Sequence, residues 1–258
     1  MILSSPDAIR ENGSGYKYKD KSGMEIKKFK EKPELDRAAG AYITELVSEK
    51  EIPILLLLSG GSAFSILEFI DETCLGNRIT IGMLDERYSK DPDISNFSQF
   101  QETLFYKKAV SAECRFIDTK VVHNESLEDL ANRFERELKS WKNSNPDGKV
   151  IATMGIGSDG HTGGIMPFAQ DSTEFSHFFE EVKWVIGYDA GSKNQYPVRI
   201  TVTNVFLRQA IDYALMYISG ENKKEIFDKL LNKNGGLSGL PASIIHEMKD
   251  VKIFTDIQ

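Results

Sequence analysis

Cysteine is scarce: the 258 residues hold two, Cys74 and Cys114. With neither metal-ligand spacing nor the density of a disulfide-stapled secreted domain, they point to a reduced, cytoplasmic setting in which both are simply packed. Met1 to Pro6 lack the basic segment and long apolar core of a secretory signal, and no apolar run approaches membrane-spanning length. The expectation is a soluble protein without a membrane partner. Positive charge is in deficit as well. Lys and Arg number 32 against 39 Asp and Glu, a net charge of −7, which argues against non-specific nucleic-acid binding because that relies on cationic phosphate contacts. A small anion needs only a few local positive groups and stays within reach.

What is present is ordinary for a globular chain: 40% hydrophobic and 28% charged residues, enough for a substantial core. Residues 1–32 are polar and lysine-rich, with Gly13, Gly15 and Gly23 among Lys17, Lys19, Lys21, Lys27 and Lys28, and read as an arm or edge element. Residues 33–258 read as a single domain. Pro33 and Glu34 open a helix with Leu35, Ala38, Ala39, Tyr42, Ile43 and Leu46 at helical spacing. Ile52 to Leu58 is a fully apolar run, as expected of a central parallel strand. Further strands are expected at Arg78 to Leu84, Cys114 to Ile117, Lys149 to Met154, Lys183 to Tyr188, Pro197 to Thr203, Tyr213 to Ile218 and Val251 to Phe254. Helices are expected after Ser59-Gly60-Gly61-Ser62, from Phe97 to Lys108, from Ser126 to Trp141, through Ile226 to Leu231, and briefly at Pro241 to Met248. Ser126 and Asp129 form a capping-box pattern, and Thr173 to Glu181 reads as a helix or lid. Strands alternating with helices predict a doubly wound, mostly parallel α/β sheet with helices on both faces.

Three strand exits carry the candidate chemistry. Ser59-Gly60-Gly61-Ser62 after an apolar strand either cradles an anion at a helix start, where free N–H groups and the helix dipole converge, or merely makes a tight turn. No Gly-Lys-Ser/Thr follows it, and it does not match the dinucleotide fingerprint. Asp85-Glu86-Arg87 places charge abruptly at a buried strand's end, which is costly unless paired or used; the plain alternative is a solvated end with a local Asp85–Arg87 salt bridge. After Met154 come Gly155-Ile156-Gly157-Ser158-Asp159-Gly160-His161-Thr162, glycines that permit sharp turning and deliver an Asp and a His to a corner outside the sheet. Arg199 in a β-branched run and Gly220-Glu221-Asn222-Lys223 after the penultimate strand complete the set.

Taken in order, these five motifs resemble those of the 6-phosphogluconolactonases, grouped with the glucosamine-6-phosphate isomerases/deaminases among Rossmann-like sugar-phosphate enzymes. The resemblance runs from about Ile54 to Asp256. It implies hydrolysis of 6-phosphoglucono-δ-lactone to 6-phosphogluconate in the pentose phosphate pathway, with His161 as the base that activates water. Asp159 and Asp85 would orient it or shape the pocket, and Arg87 would contact substrate or stabilise developing charge. Ser59, Gly60, Gly61 and Ser62, with Arg199 and Lys223, would hold the 6-phosphate. No metal or organic cofactor is required, the partner is a small phosphosugar lactone, and the expected assembly is a monomer or small homo-oligomer. In the deaminase branch a Glu stands immediately before the Pro that follows the Asp-Gly-His unit, where this chain has Met166, and a Tyr is usual at Arg87. The chain also departs from the lactonase pattern, with Ala63-Phe64 for Thr-Pro and Gly163-Gly164-Ile165-Met166 for Ala-Ser-Leu-Phe. A deaminase-like sugar-phosphate enzyme and a non-catalytic sugar-phosphate sensor are the alternatives.

Overall fold

The first strands of the computed structural model, Ile9–Arg10 (β1), Tyr16–Lys19 (β2) and Glu25–Lys28 (β3), form an antiparallel meander. Residues 9–10, 16–20, 23–49 and 51–258 are described; Met1 to Pro6, Gly13, Gly15 and Lys21 of the expected arm lie outside them. Lys32–Val47 (α1) starts with Pro33 in its first turn, where a missing N–H is harmless. Then come Ile54–Leu58 (β4), a 3-10 helix over Gly61–Phe69, Ile79–Met83 (β5) and Asp85–Arg87 (β6). Asn96–Glu102 (α2), Leu104–Ser111 (α3), Arg115–Phe116 (β7), Leu127–Ser144 (α4) and Lys149–Met154 (β8) follow. Thr173–Phe179 (α5), Val185–Asp189 (β9), Val198–Val202 (β10), Asn204–Gln209 (α6), Tyr213–Ile218 (β11), Lys224–Leu231 (α7) and Val251–Thr255 (β12) complete the order.

The main sheet has the strand order β1-β2-β3-β12-β11-β8-β4-β5-β7, and every pairing from β3 to β7 is parallel. β4 is buried at each position, so its alternate residues must serve opposite faces. Leu55 and Leu57 join the core beneath Leu130, Phe134 and Leu138 of α4. Ile54, Leu56 and Leu58 join Leu35 and Ile43 of α1 with Phe97, Phe100 and Phe105 on the other. Each such leucine withdrawn from water contributes roughly 1.5–3 kcal/mol. The α4 capping box forms as its sequence predicts, with Ser126 Oγ accepting from Asp129 N–H and Asp129 Oδ2 accepting from Ser126 N–H.

Four expectations need correction. β9 and β10 do not extend the parallel sheet. They pair antiparallel with each other, and β6 pairs with β10, in a separate three-stranded sheet; a short β-branched run has the same sequence appearance whichever sheet receives it. Asp85-Glu86-Arg87 is therefore strand, not loop. The helix expected over Phe97 to Lys108 is two, because Thr103 is extended (φ −71°, ψ 150°) and its side chain accepts from Tyr106 N–H to cap the second. The segment after Ser59-Gly60-Gly61-Ser62 winds as a 3-10 helix with Ala63 and Ile66 buried. A three-residue turn aligns that spacing, and the Ser65 hydroxyl donates to the Ser62 carbonyl that a longer turn would otherwise use.

β6 is anchored from the side facing away from β10's cleft. The Glu86 carboxylate is buried and accepts from the backbone N–H groups of Arg87, Asn96 and Phe97 at 2.8, 2.6 and 2.8 Å. The Ser95 and Thr119 hydroxyls donate to it as well. Burial pushes its carboxyl up to about 7, against the pull of those backbone donors. Glu86→Ala strands three buried N–H groups, and we expect a loss of roughly 3 kcal/mol or more in urea unfolding at neutral pH; a change below about 1 kcal/mol would show that water replaces the carboxylate without cost.

Candidate active site

β4 and β8 are neighbours whose following segments run to opposite sides of the sheet, which opens a crevice at their C-terminal ends. The crevice is a cavity of about 370 Å³. Ser59, Gly60, Gly61 and Ser62 line it from the end of β4, His161 from the loop after β8, and Lys223 from the turn after β11. Asp85, Arg87 and Arg199 enter from the small sheet. Their arrival together follows from register: Arg199 lies opposite Arg87, and Thr201 opposite Asp85, so alternation along each strand sends these side chains to one face and Glu86 to the other.

Asp159 is not among the residues lining the cavity. Its Oδ1 is 2.6 Å from His161 Nδ1 and also accepts from His161 N–H. Burial tends to raise the Asp159 carboxyl, but its bond and charge interaction with His161 prevail and hold it below the usual carboxylate range. An ionised carboxylate accepts, so Nδ1 is assigned the proton of this contact, and the opposite edge of the ring is Nε2. His161 lines the cavity with that edge uncommitted among the described residues. The loop is shaped for this contact: Gly157 N–H donates to the His161 carbonyl, and a Cβ on Gly157 would sit 2.1 Å from Nδ1. Only glycine leaves that space.

Arg199 is positioned differently from the free phosphate fork expected of it. It is 3% exposed, and Asp85, 4% exposed, is its ion-pair partner at 3.2 Å. Its Nε donates to the Tyr196 carbonyl and its Nη2 to Asn194 Oδ1. The local Asp85–Arg87 salt bridge considered from sequence does not form. Arg87 Nη1 donates to the Ile94 carbonyl, its guanidinium lies 5.4 Å from the centre of the Tyr196 ring, and its Nε has no partner among the described residues. Burial lowers the Lys223 amine, with Asp256 opposing the shift.

The turn after His161 is clamped by Tyr188, whose hydroxyl donates to the Gly164 carbonyl and accepts from Met166 N–H. Gly164 itself is pressed to the small sheet: an added Cβ would lie 2.7 Å from Thr201 Cβ and 3.0 Å from Asp85 Cβ. Met166 is fully buried. Sequence reading missed Asn96 as a wall residue, and missed Asn194, Gln195 and Tyr196, which also line the cavity. A polar loop without a motif offers no signal that would have found them. Among the described residues no group of three or more His, Cys, Asp or Glu is disposed to hold a metal ion, and no helix is long and apolar enough to cross a membrane.

A model of the family described as glucosamine-6-phosphate isomerases/6-phosphogluconolactonase matches residues 30–254. The chain belongs to that family. A Dictyostelium discoideum relative named "Probable 6-phosphogluconolactonase" is 22% identical over 229 residues, covering 82% of this chain and 87% of the relative. The family fold is equally plain in solved structures. The crystal structure of a 6-phosphogluconolactonase from Shewanella baltica is similar with a TM-score of 0.71 at 19% identity, over 89% of this chain and 96% of that one. A monomeric glucosamine-6-phosphate deaminase is similar with a TM-score of 0.68 at 22% identity, over 89% and 96% of the two chains. At these identities the structural likeness carries the α/β fold and does not separate the family's two activities.

The Asp159–His161 contact yields a prediction that needs no substrate. Gly157→Ala should drive the imidazole off Asp159 in a protein that stays folded, removing the hydrogen-bonded Nδ1–H resonance from the imidazole NMR spectrum. An unchanged resonance would mean that the loop shifts to accept the methyl group.

Proposed function

We propose that this chain hydrolyses 6-phosphoglucono-δ-lactone to 6-phosphogluconate. The observation that carries the reading is the Asp159–His161 pair at 2.6 Å, which leaves the Nε2 edge of the imidazole without a partner among the described residues at a cavity also lined by Arg87 and Lys223. Lactone hydrolysis asks for one base and a place for developing negative charge. His161 Nε2 takes a proton from water as its oxygen bonds to the lactone carbonyl carbon. Asp159 holds the ring in orientation and offsets the imidazolium charge. When the tetrahedral intermediate collapses, the bond from that carbon to the ring oxygen breaks. The imidazolium returns its proton to the departing oxygen, and the product ionises to a carboxylate.

At the other end of the substrate, the Ser59–Ser62 turn and the Lys223 ammonium supply backbone donors and a point charge for the phosphate. Arg87 also lines the cavity and adds positive charge near substrate oxygen. Arg199, already committed to Asp85, Asn194 and Tyr196, holds the wall.

The amino-sugar reading is less well served. Isomerisation with ring opening and loss of ammonia needs several proton-transfer groups. Met166 occupies the position of the deaminase-type Glu and is buried, and Asp85, the carboxylate among the described residues lining the cavity, is paired with Arg199. The Dictyostelium discoideum relative named "Probable 6-phosphogluconolactonase" supports the same choice.

His161→Ala should lower kcat for the lactone by roughly 10²- to 10⁴-fold with the fold intact; an unchanged rate would remove His161 from the mechanism. The amino-sugar phosphate, run in parallel with wild type, should not turn over, and a sensor would bind phosphosugar without hydrolysing either compound. Lys223→Ala should raise KM for the phosphorylated lactone while altering hydrolysis of unphosphorylated gluconolactone little. Equal losses on both would dismiss the phosphate role. The lowered Lys223 amine adds a pH signature with a fixed sign. Calorimetric binding of 6-phosphogluconate should weaken as pH rises, starting below the range where an ordinary lysine loses its proton, and Lys223→Arg should push that weakening to higher pH.

A further inference from the structure

Between β9 and β10 the chain crosses the cavity mouth as a strap, Asn194-Gln195-Tyr196, and all three residues line the cavity. Its backbone is fixed at several points. Arg199 donates through Nε to the Tyr196 carbonyl and through Nη2 to Asn194 Oδ1, and that same oxygen accepts from Tyr196 N–H. Beneath, the Ala190 N–H donates to the Pro197 carbonyl and closes the base of the excursion. Because Arg199 is also the partner of buried Asp85, the strap is attached to the floor of the cavity rather than hanging from its own ends.

The cavity has cationic and backbone donors for a phosphate and an imidazole for a carbonyl. Sugar hydroxyls are neutral and both donate and accept. A carboxamide matches them, with an N–H donor and a carbonyl acceptor on one side chain. Asn96 has spent its Nδ2 on the Asp85 carbonyl and Asn194 its Oδ1 on Arg199 and Tyr196. Gln195 is exposed at the mouth, and both ends of its carboxamide are free of hydrogen bonds among the described residues. Next to it, the Tyr196 ring lies 5.4 Å from the Arg87 guanidinium, the geometry of a cation–π seat. That contact holds the Arg87 side chain beside the strap.

We infer that the Asn194–Tyr196 strap is the sugar-recognising wall of the site. In it the Gln195 carboxamide hydrogen-bonds a hydroxyl of the substrate, and Tyr196 is a positioning residue for Arg87. The inference rests on the lactonase reading. It adds specificity at a segment that none of the five motifs includes.

The test uses the full-length protein with 6-phosphoglucono-δ-lactone and its 2-deoxy, 3-deoxy and 4-deoxy counterparts, together with calorimetric binding of 6-phosphogluconate. Gln195→Ala should raise KM for the full sugar roughly 3- to 10-fold, as loss of one neutral hydrogen bond implies, with kcat within about twofold. It should leave unchanged the KM of whichever deoxy lactone lacks the recognised hydroxyl. Tyr196→Leu should raise KM by about 3-fold or more, and Tyr196→Phe should recover most of that loss, because the ring face rather than the hydroxyl seats Arg87. An equal effect of Gln195→Ala on all four lactones, or none, overturns the hydroxyl contact. A Phe variant as impaired as the Leu variant overturns the seat. If wild type neither hydrolyses the lactone nor binds 6-phosphogluconate, the lactonase reading fails and the strap inference falls with it. Wild-type turnover with both strap variants unaffected would overturn the strap inference alone.

Discussion

The Asp85–Arg199 ion pair is the constraint on which the site's geometry depends. Two groups almost fully withdrawn from water meet at 3.2 Å across the β6–β10 pairing. Losing either partner would leave a buried charge uncompensated, a situation that costs about 3–5 kcal/mol in proteins where it has been created. The pair also explains why the remaining donors of Arg199 go to the strap and why Arg87, two residues from Asp85, is left to face the cavity. Two arginines on adjacent strands thus have different partners: Arg199 is paired with Asp85, and Arg87 donates to the Ile94 carbonyl and lies over the Tyr196 ring.

Asp159 and His161 are tied by local geometry, two residues apart in one glycine-shaped loop. The contact survives any rearrangement that keeps the loop. Asp85 and Arg199 are 114 residues apart and depend on the small sheet being assembled. The reacting group is therefore set locally and the substrate wall globally, so changes in packing around the small sheet bear on recognition before they bear on the base.

This division also accounts for what could be read from sequence. β4 and β8 were legible because a continuous apolar run such as Ile54-Leu55-Leu56-Leu57-Leu58 has few alternatives to a doubly covered strand. The α4 capping box and the Asp159–His161 loop were legible because their partners lie within three residues. The membership of β6, β9 and β10 in a second sheet was not, since the preference for extended backbone says nothing about which strand lies alongside. The ion pairing of Arg199 was hidden for the same reason, and Thr103 looked like one more residue in a helical run until its own cap divided the run. The strap left no trace, because Asn194-Gln195-Tyr196 resembles any polar connection until Arg199 is seen to hold it.

The order of strands has a consequence for synthesis. β3 is among the first strands made, yet its partner in the parallel sheet is β12, the last of the described strands. During translation the β2–β3 hairpin must wait for nearly the whole domain before one of its edges is covered, and an uncovered strand edge invites pairing with other chains. Lys19 on β2 and Lys28 on β3 put positive charge on that hairpin, the kind of residue that discourages pairing between uncovered edges.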